Sequence, residues 1–245
     1  MKLTADEVST LVQKAFCLEA LADKKDCTTR YVDLPGKPLD DFILAGINVG
    51  PAYRQFAMDF INGKPGIFTH QTTALKASNV HKSDKYINFG LLEIMTPTVI
   101  ARLTTNDPRK VVATIITVMK GGTREDVRQM IATRRLGWAS SVKSKLKLAE
   151  LTDEVIKAPS PYAFYKTIAT NGVPDSSANQ WSNHYLEGLP LLVSQFEYLQ
   201  THDELLLDRI KNAFEPFRAA NPEIKIGILA DMSAAAIFLH LSFTT

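Results

Sequence analysis

The sequence predicts a mostly α protein, and three observations carry the prediction. Apolar residues recur at helical spacing along most of the chain, helix caps and stops punctuate it at short intervals, and beyond the connector that ends at Pro38 it is Gly63 to Asn88 that reads differently. The 245 residues are 45% apolar and 22% charged, with a formal net charge of +2. That balance excludes general disorder, and the length supports a core that needs no disulfide staples.

Thr4 and Glu7 form a capping box ahead of Val8, Leu11, Val12, Ala15, Phe16 and Leu18 to Leu21, an amphipathic first helix. Asp33 to Pro38 holds Pro-Gly and Lys-Pro steps and reads as a linker. Helices are expected over Leu39 to Asn48 and Pro51 to Ile61. Gly63 to Asn88, rich in glycine and threonine, reads as one small β-hairpin or a long loop. Thr96-Pro97 and Asp107-Pro108 each set a cap residue before a proline, the favoured first helical position. The helix opened by Asp107 should stop at Gly121-Gly122. Thr123, with Asp126 three residues on, caps the next, which Gly137 can end. Further helices are expected over Ser140 to Ala158, from Ser160-Pro161 to Gly172, and near Ser177 to Leu186, Leu189 to Thr201, Asp203 to Ala220 and Pro222 to Leu241. Pro216 should kink or break the Asp203 to Ala220 helix.

The two ends stand apart as terminal arms: the capped helix with its polar connector, and an apolar helix that must be buried in this fold or in another chain. No apolar run reaches the roughly 18 residues that span a bilayer; Met232 to Phe243 comes nearest and contains His240. Asp6, Glu7, Glu19, Asp23 and Lys24 argue against a leader peptide. Cys17 and Cys27 read as reduced thiols, so the expectation is a soluble intracellular protein.

The near-neutral total hides a segregated charge. Residues 1–101 balance to zero, residues 102–147 hold eleven basic residues against three acidic, and residues 148–245 sum to −6. The middle block (Arg102, Arg109, Lys110, Lys120, Arg124, Arg128, Arg134, Arg135, Lys143, Lys145, Lys147) should build a positive wall able to release counterions from a phosphate backbone. Single strands also need stacking surfaces. Tyr53 beside Arg54 and Tyr86 beside Lys85 each pair a ring with a cation; Phe68, Phe89 and Trp138 are further aromatic candidates. A solvated helical face is the competing reading of the same cations.

Catalytic and metal motifs are not found. His70, His81, His184, His202 and His240 make no H-E-x-x-H pattern, and in His202-Asp203-Glu204 the aspartate reads as a helix cap. Lys120-Gly121-Gly122-Thr123 lacks phosphate-loop spacing, and Asp40-Asp41 are adjacent rather than opposed. No metal, cofactor or enzymatic activity is expected.

Asp84-Lys85-Tyr86-Ile87-Asn88-Phe89, Leu91-Leu92 and Val99-Ile100-Ala101-Arg102-Leu103, set in a helical chain with a basic middle, resemble the nucleocapsid proteins of segmented negative-strand RNA viruses, the bunyavirus group, of orthobunyavirus or tospovirus type. Gly90 and Leu91 stand where that pattern has its first arginine, and the detailed likeness is confined to Asp84 to Leu103. The resemblance implies two helical lobes with a positive groove between them: an arm over 1–35, a lobe over 36–150, a second over 151–221 and a C-terminal arm over 222–245. It implies that Arg102 and the cations from Arg109 to Lys147 line the groove, with Lys76, Lys82 and Lys85 covering single-stranded RNA. Val8, Leu11, Val12 and Phe16 at one end, and Ile237, Phe238 and Leu241 at the other, would join subunits head to tail. The implied partners are RNA, further copies and the viral polymerase; the implied location is the virion and host cytoplasm. A helical coat protein of a filamentous or rod-shaped positive-strand plant virus is the alternative, and a helical scaffold or enzyme unrelated to RNA the second.

Overall fold

The computed structural model describes residues 2–34, 38–79, 88–138, 151–172 and 176–244, of Trp138 the backbone alone, and the mostly α expectation holds throughout them. The chain begins with α1 (Ala5–Leu21), whose Thr4–Glu7 capping box forms as expected. α2 (Leu39–Asn48) and α3 (Gly50–Ile61) follow, and both pack on α1. Gly46 makes the α1–α2 approach possible, because a Cβ there would come within 2.8 Å of Phe16 Cβ.

Between Gly63 and Ala77 the chain forms turns and then α4 (Gln71–Ala77), with no strand among the described residues. The hairpin expectation is therefore corrected as far as Asn79; residues 80–87 lie outside the described residues. The Asp126 carboxylate organises this stretch. It accepts hydrogen bonds from the Ile67 and Phe68 amides at 2.5 and 3.3 Å, and from the Thr123 amide at 2.7 Å. One buried carboxylate thus both caps α7 (Arg124–Trp138) and fastens the preceding turns to it.

α5 (Phe89–Thr104) is the central helix, buried continuously from Leu91 to Arg102. Thr96-Pro97 lies inside it instead of opening it. The freed backbone is tolerated because α5 is packed on several sides, by α4, α6 (Pro108–Gly121), α7 and the C-terminal helix. The second half of the chain supplies α8 (Asp153–Ile156), α9 (Pro161–Asn171), α10 (Ser177–Leu186), α11 (Pro190–Thr201) and α12 (Leu206–Ala220). The Ser140 to Ala158 helix is reduced, within the described residues, to the single turn of α8. α12 continues through Pro216 to Ala220, so the expected break does not occur.

α13 (Ile226–Thr244) has 19 residues and a mean hydropathy of 1.7 across its most apolar stretch, so by length and composition it could cross a membrane. It is longer than the apolar run the sequence suggested, and 67% of that stretch is buried against α1, α5, α11 and α12. Ala234, Ala235 and Ala236 keep its surface low, and Ile237, Phe238 and Leu239 are fully enclosed. Each such side chain contributes about 1.5–3 kcal/mol of transfer free energy. One cluster of buried apolar residues runs from Leu3 to Leu239, joining both chain ends to the same core.

Candidate nucleic-acid interface

Helical phase decides which cations of the basic block reach solvent. On α7, Val127, Met130, Ile131 and Arg134 form the buried face, while Arg124, Arg128 and Arg135 are exposed. At about 100° per residue those three arginines fall within roughly 40° of one another, one above the next along the helix. On α6, Val111, Ile115 and Met119 are buried, and Arg109 and Lys120 share the exposed stripe with Ala113 and Thr117. Arg109 and Lys120 stand roughly 16 Å apart along that axis at 1.5 Å per residue.

The cations differ in how far carboxylates occupy them. Arg109 and Lys110 face Asp107 at 3.2 and 3.8 Å, and the Arg109 bond holds the Asp107 carboxyl below its ordinary value. Arg128 pairs with Glu125 at 3.1 Å; hydrogen bonds from Gln129 and then Arg128 lower the Glu125 carboxyl. Arg54 binds Asp6 at 2.5 Å and ties α3 to α1. Lys76, Lys120, Arg124 and Arg135 carry no carboxylate partner among the described residues. Lys120 sits 4.8 Å over the Tyr162 ring, and Arg124 Nη2 reaches the Lys157 carbonyl at 3.4 Å.

Three expected contacts are corrected by burial. Arg102 is 3% exposed; its Nη2 donates to the Ser242 carbonyl at 2.8 Å, and its guanidinium lies 4.4 Å over the Phe243 ring. It caps the C-terminus of α13 and has no free face for a phosphate. Arg134 is 1% exposed and bound to Glu93. Tyr53 is 2% exposed with its hydroxyl on Thr96, so it cannot stack a base. Phe68 is also enclosed, and Phe89 packs beneath Arg134 at 5.9 Å.

The terminal residues expected at subunit contacts are packed within this chain's own core. Val8, Leu11, Val12 and Phe16 are buried where α1 meets α2, α3 and α13, and Ile237 and Phe238 are fully enclosed in α13; Leu241 is half-buried against the same core. Their apolar faces are satisfied within the chain. Lys82, Lys85, Tyr86, Lys143, Lys145 and Lys147 lie outside the described residues.

What remains is an exposed cationic surface along α6 and α7, with Lys76 at the end of the neighbouring α4. Sequence reasoning missed Tyr162 and Lys157, which approach it from α9 and the turn before it. Ser160-Pro161 marked the start of α9 but not what the helix would face. No group of His, Cys, Asp and Glu capable of holding a metal occurs among the described residues. No protein-family model, curated protein or solved structure matches this chain.

Proposed function

We propose that this chain is a viral nucleocapsid protein that binds single-stranded RNA without sequence specificity and associates with further copies of itself into a ribonucleoprotein. The observation that carries the reading is the stripe of Arg124, Arg128 and Arg135 on α7, with Lys120 exposed at the end of α6 four residues before Arg124. All four are solvent-facing, the three arginines are aligned along α7, and they stand in a segment whose +8 balance contrasts with the acidic C-terminal part. A backbone tracked by aligned cations is recognised by charge and not by base identity. Presentation of that RNA to a viral polymerase, in virion and host cytoplasm, belongs to the same proposal.

The test is to purify the chain and measure its nuclease-sensitive absorbance at 260 nm together with its mass by light scattering. Co-purifying RNA in an oligomer is the expected result, and its loss is expected when Arg124, Arg128 and Arg135 are all changed to Glu. Rings of a few subunits on negative-stain grids fit the nucleocapsid, whereas long uniform rods would favour a filamentous coat protein. A monomer of 27.2 kDa free of nucleic acid would overturn both.

A further inference from the structure

We infer that Tyr162 is a base-stacking platform at the α6–α7 corner, taking one nucleobase of a single strand while Lys120 and Arg124 hold the adjoining phosphates. This assignment rests on the RNA-binding reading and deepens it by naming a subsite.

The corner is built by a close approach that glycine alone permits. A Cβ on Gly122 would lie 2.7 Å from Pro161 Cδ and 2.7 Å from Ile67 Cδ1, so the link between α6 and α7 presses directly on the first turn of α9. Pro161 at the first position and the Ser160 hydroxyl, which accepts from the Ala163 amide at 3.3 Å, fix that turn. Two residues before the contact stands Lys120, and one residue after it Tyr162. The result is an ammonium 4.8 Å over the ring. Arg124, two residues beyond Gly122, reaches the turn before α9 at the Lys157 carbonyl.

The ring is half-buried against the core and keeps part of its surface in solvent. Nothing in the fold requires a lysine to cover it: Lys120 is exposed and joined to no carboxylate among the described residues. Its flexible stem lets the ammonium turn from ring to phosphate, exchanging one favourable contact for a stronger charge pair and opening the π face to a base. Stacking of this kind accepts any base, in keeping with recognition that is not sequence-specific.

The experiment compares wild type, Tyr162→Ala and Tyr162→Phe in binding a short single-stranded RNA carrying 2-aminopurine, and an abasic strand of equal length. Circular dichroism first establishes that each variant is folded. Expected are quenching of 2-aminopurine by wild type and Tyr162→Phe but not Tyr162→Ala, and an affinity loss on the order of tenfold for Tyr162→Ala with RNA. Binding of the abasic strand should be unchanged in that variant. Equal binding and quenching by Tyr162→Ala would overturn the stacking role alone, as would an equal loss for the RNA and abasic strands, the mark of a merely structural tyrosine. Failure of wild type to bind either strand would overturn the RNA-binding reading and this subsite with it.

Discussion

Arg134 closes a two-pronged ion pair on Glu93 in the middle of the fold, Nε to Oε1 at 2.7 Å and Nη2 to Oε2 at 2.6 Å, with the side chains 2% and 1% exposed. Tyr165 donates to the same carboxylate at 3.0 Å, and the guanidinium is flanked by the Phe164 and Tyr165 rings at 4.9 and 5.6 Å. Tyr185 stacks on Tyr165 at 4.3 Å and donates to the Glu93 carbonyl at 3.3 Å. The network joins α5, α7, α9 and α10, so it binds the helix bearing the exposed arginines to the rest of the chain.

Breaking one side of this pair leaves a buried charge without its counter-ion. Glu93→Gln or Arg134→Met should each cost about 3–5 kcal/mol in urea unfolding, and the double variant less than the sum of the two. Single costs below about 1 kcal/mol would show that water reaches the site.

Arg102 holds the last turn of α13 through the Ser242 carbonyl and hydroxyl, and the Asn106 side chain at 2.9 Å. Arg102→Ala should lower stability by about 1.5–3 kcal/mol, the range for hydrogen bonds to a charged group. RNA affinity of the folded variant should match wild type. A selective loss of RNA binding with stability intact would return Arg102 to the interface.

The contrast between Arg102, Arg134 and the exposed arginines shows what the sequence makes legible. Caps and stops place most helices closely: Thr4, Asp107, Thr123 and Ser160 each cap as their residue type dictates. Counting charge finds the basic block but treats every cation alike. Phase separates them, since Arg134 follows Val127 and Met130 at seven and four residues and so falls on the core side of α7, whereas Arg124, Arg128 and Arg135 stand six, two and five residues from Met130. Arg102 has no such signal, because α5 is buried all round and its periodicity carries no direction. Tyr162 is set by the contact of Gly122 with Pro161, a long-range approach that local pattern does not encode. The terminal helices have faces that suit a neighbouring subunit as well as their own core, and composition alone does not choose between them.

Asp59 gives the fold an acid-sensitive tie. Its carboxylate accepts from Lys64 at 2.8 Å, His70 at 2.9 Å and Gln55 at 3.0 Å, and the Lys64 and then the His70 bonds lower it from 3.8 to about 2. A depressed carboxyl contributes stability that is complete above its unfolded value and disappears as pH falls through the folded one. Urea midpoints of wild type should therefore decline between about pH 4 and 2, and Asp59→Asn should flatten that decline. Parallel slopes would assign the acid limb to other carboxylates.

Cys27 is pushed up to about 12 by burial, against the opposing pull of Lys24. A thiol with a raised folded value stabilises the native state below its unfolded value of 9.0, and that contribution is lost as pH rises towards 12. At pH 8 Cys27 should react with a disulfide reagent at least tenfold more slowly in the native chain than in urea, because the thiolate is the nucleophile. Rapid native modification of both cysteines would show that the region around Cys27 opens readily.

Salt dependence separates an RNA interface from a solvated face most directly. Each phosphate neutralised on a single strand contributes about −0.7 to the slope of log K against log salt. If Arg124 and Arg135 each meet one phosphate, and Arg128, which Glu125 already shares at 3.1 Å, contributes less, replacing all three with Ala should make the slope shallower by about 1.4 to 2. Arg109→Ala should change it less, because Asp107 already shares that charge at 3.2 Å. Arg102→Ala should leave it unchanged, its guanidinium being enclosed beneath α13. An unaltered slope in the triple variant would mean that these arginines do no more than keep a helix soluble, and the α7 stripe would lose its part in the proposal.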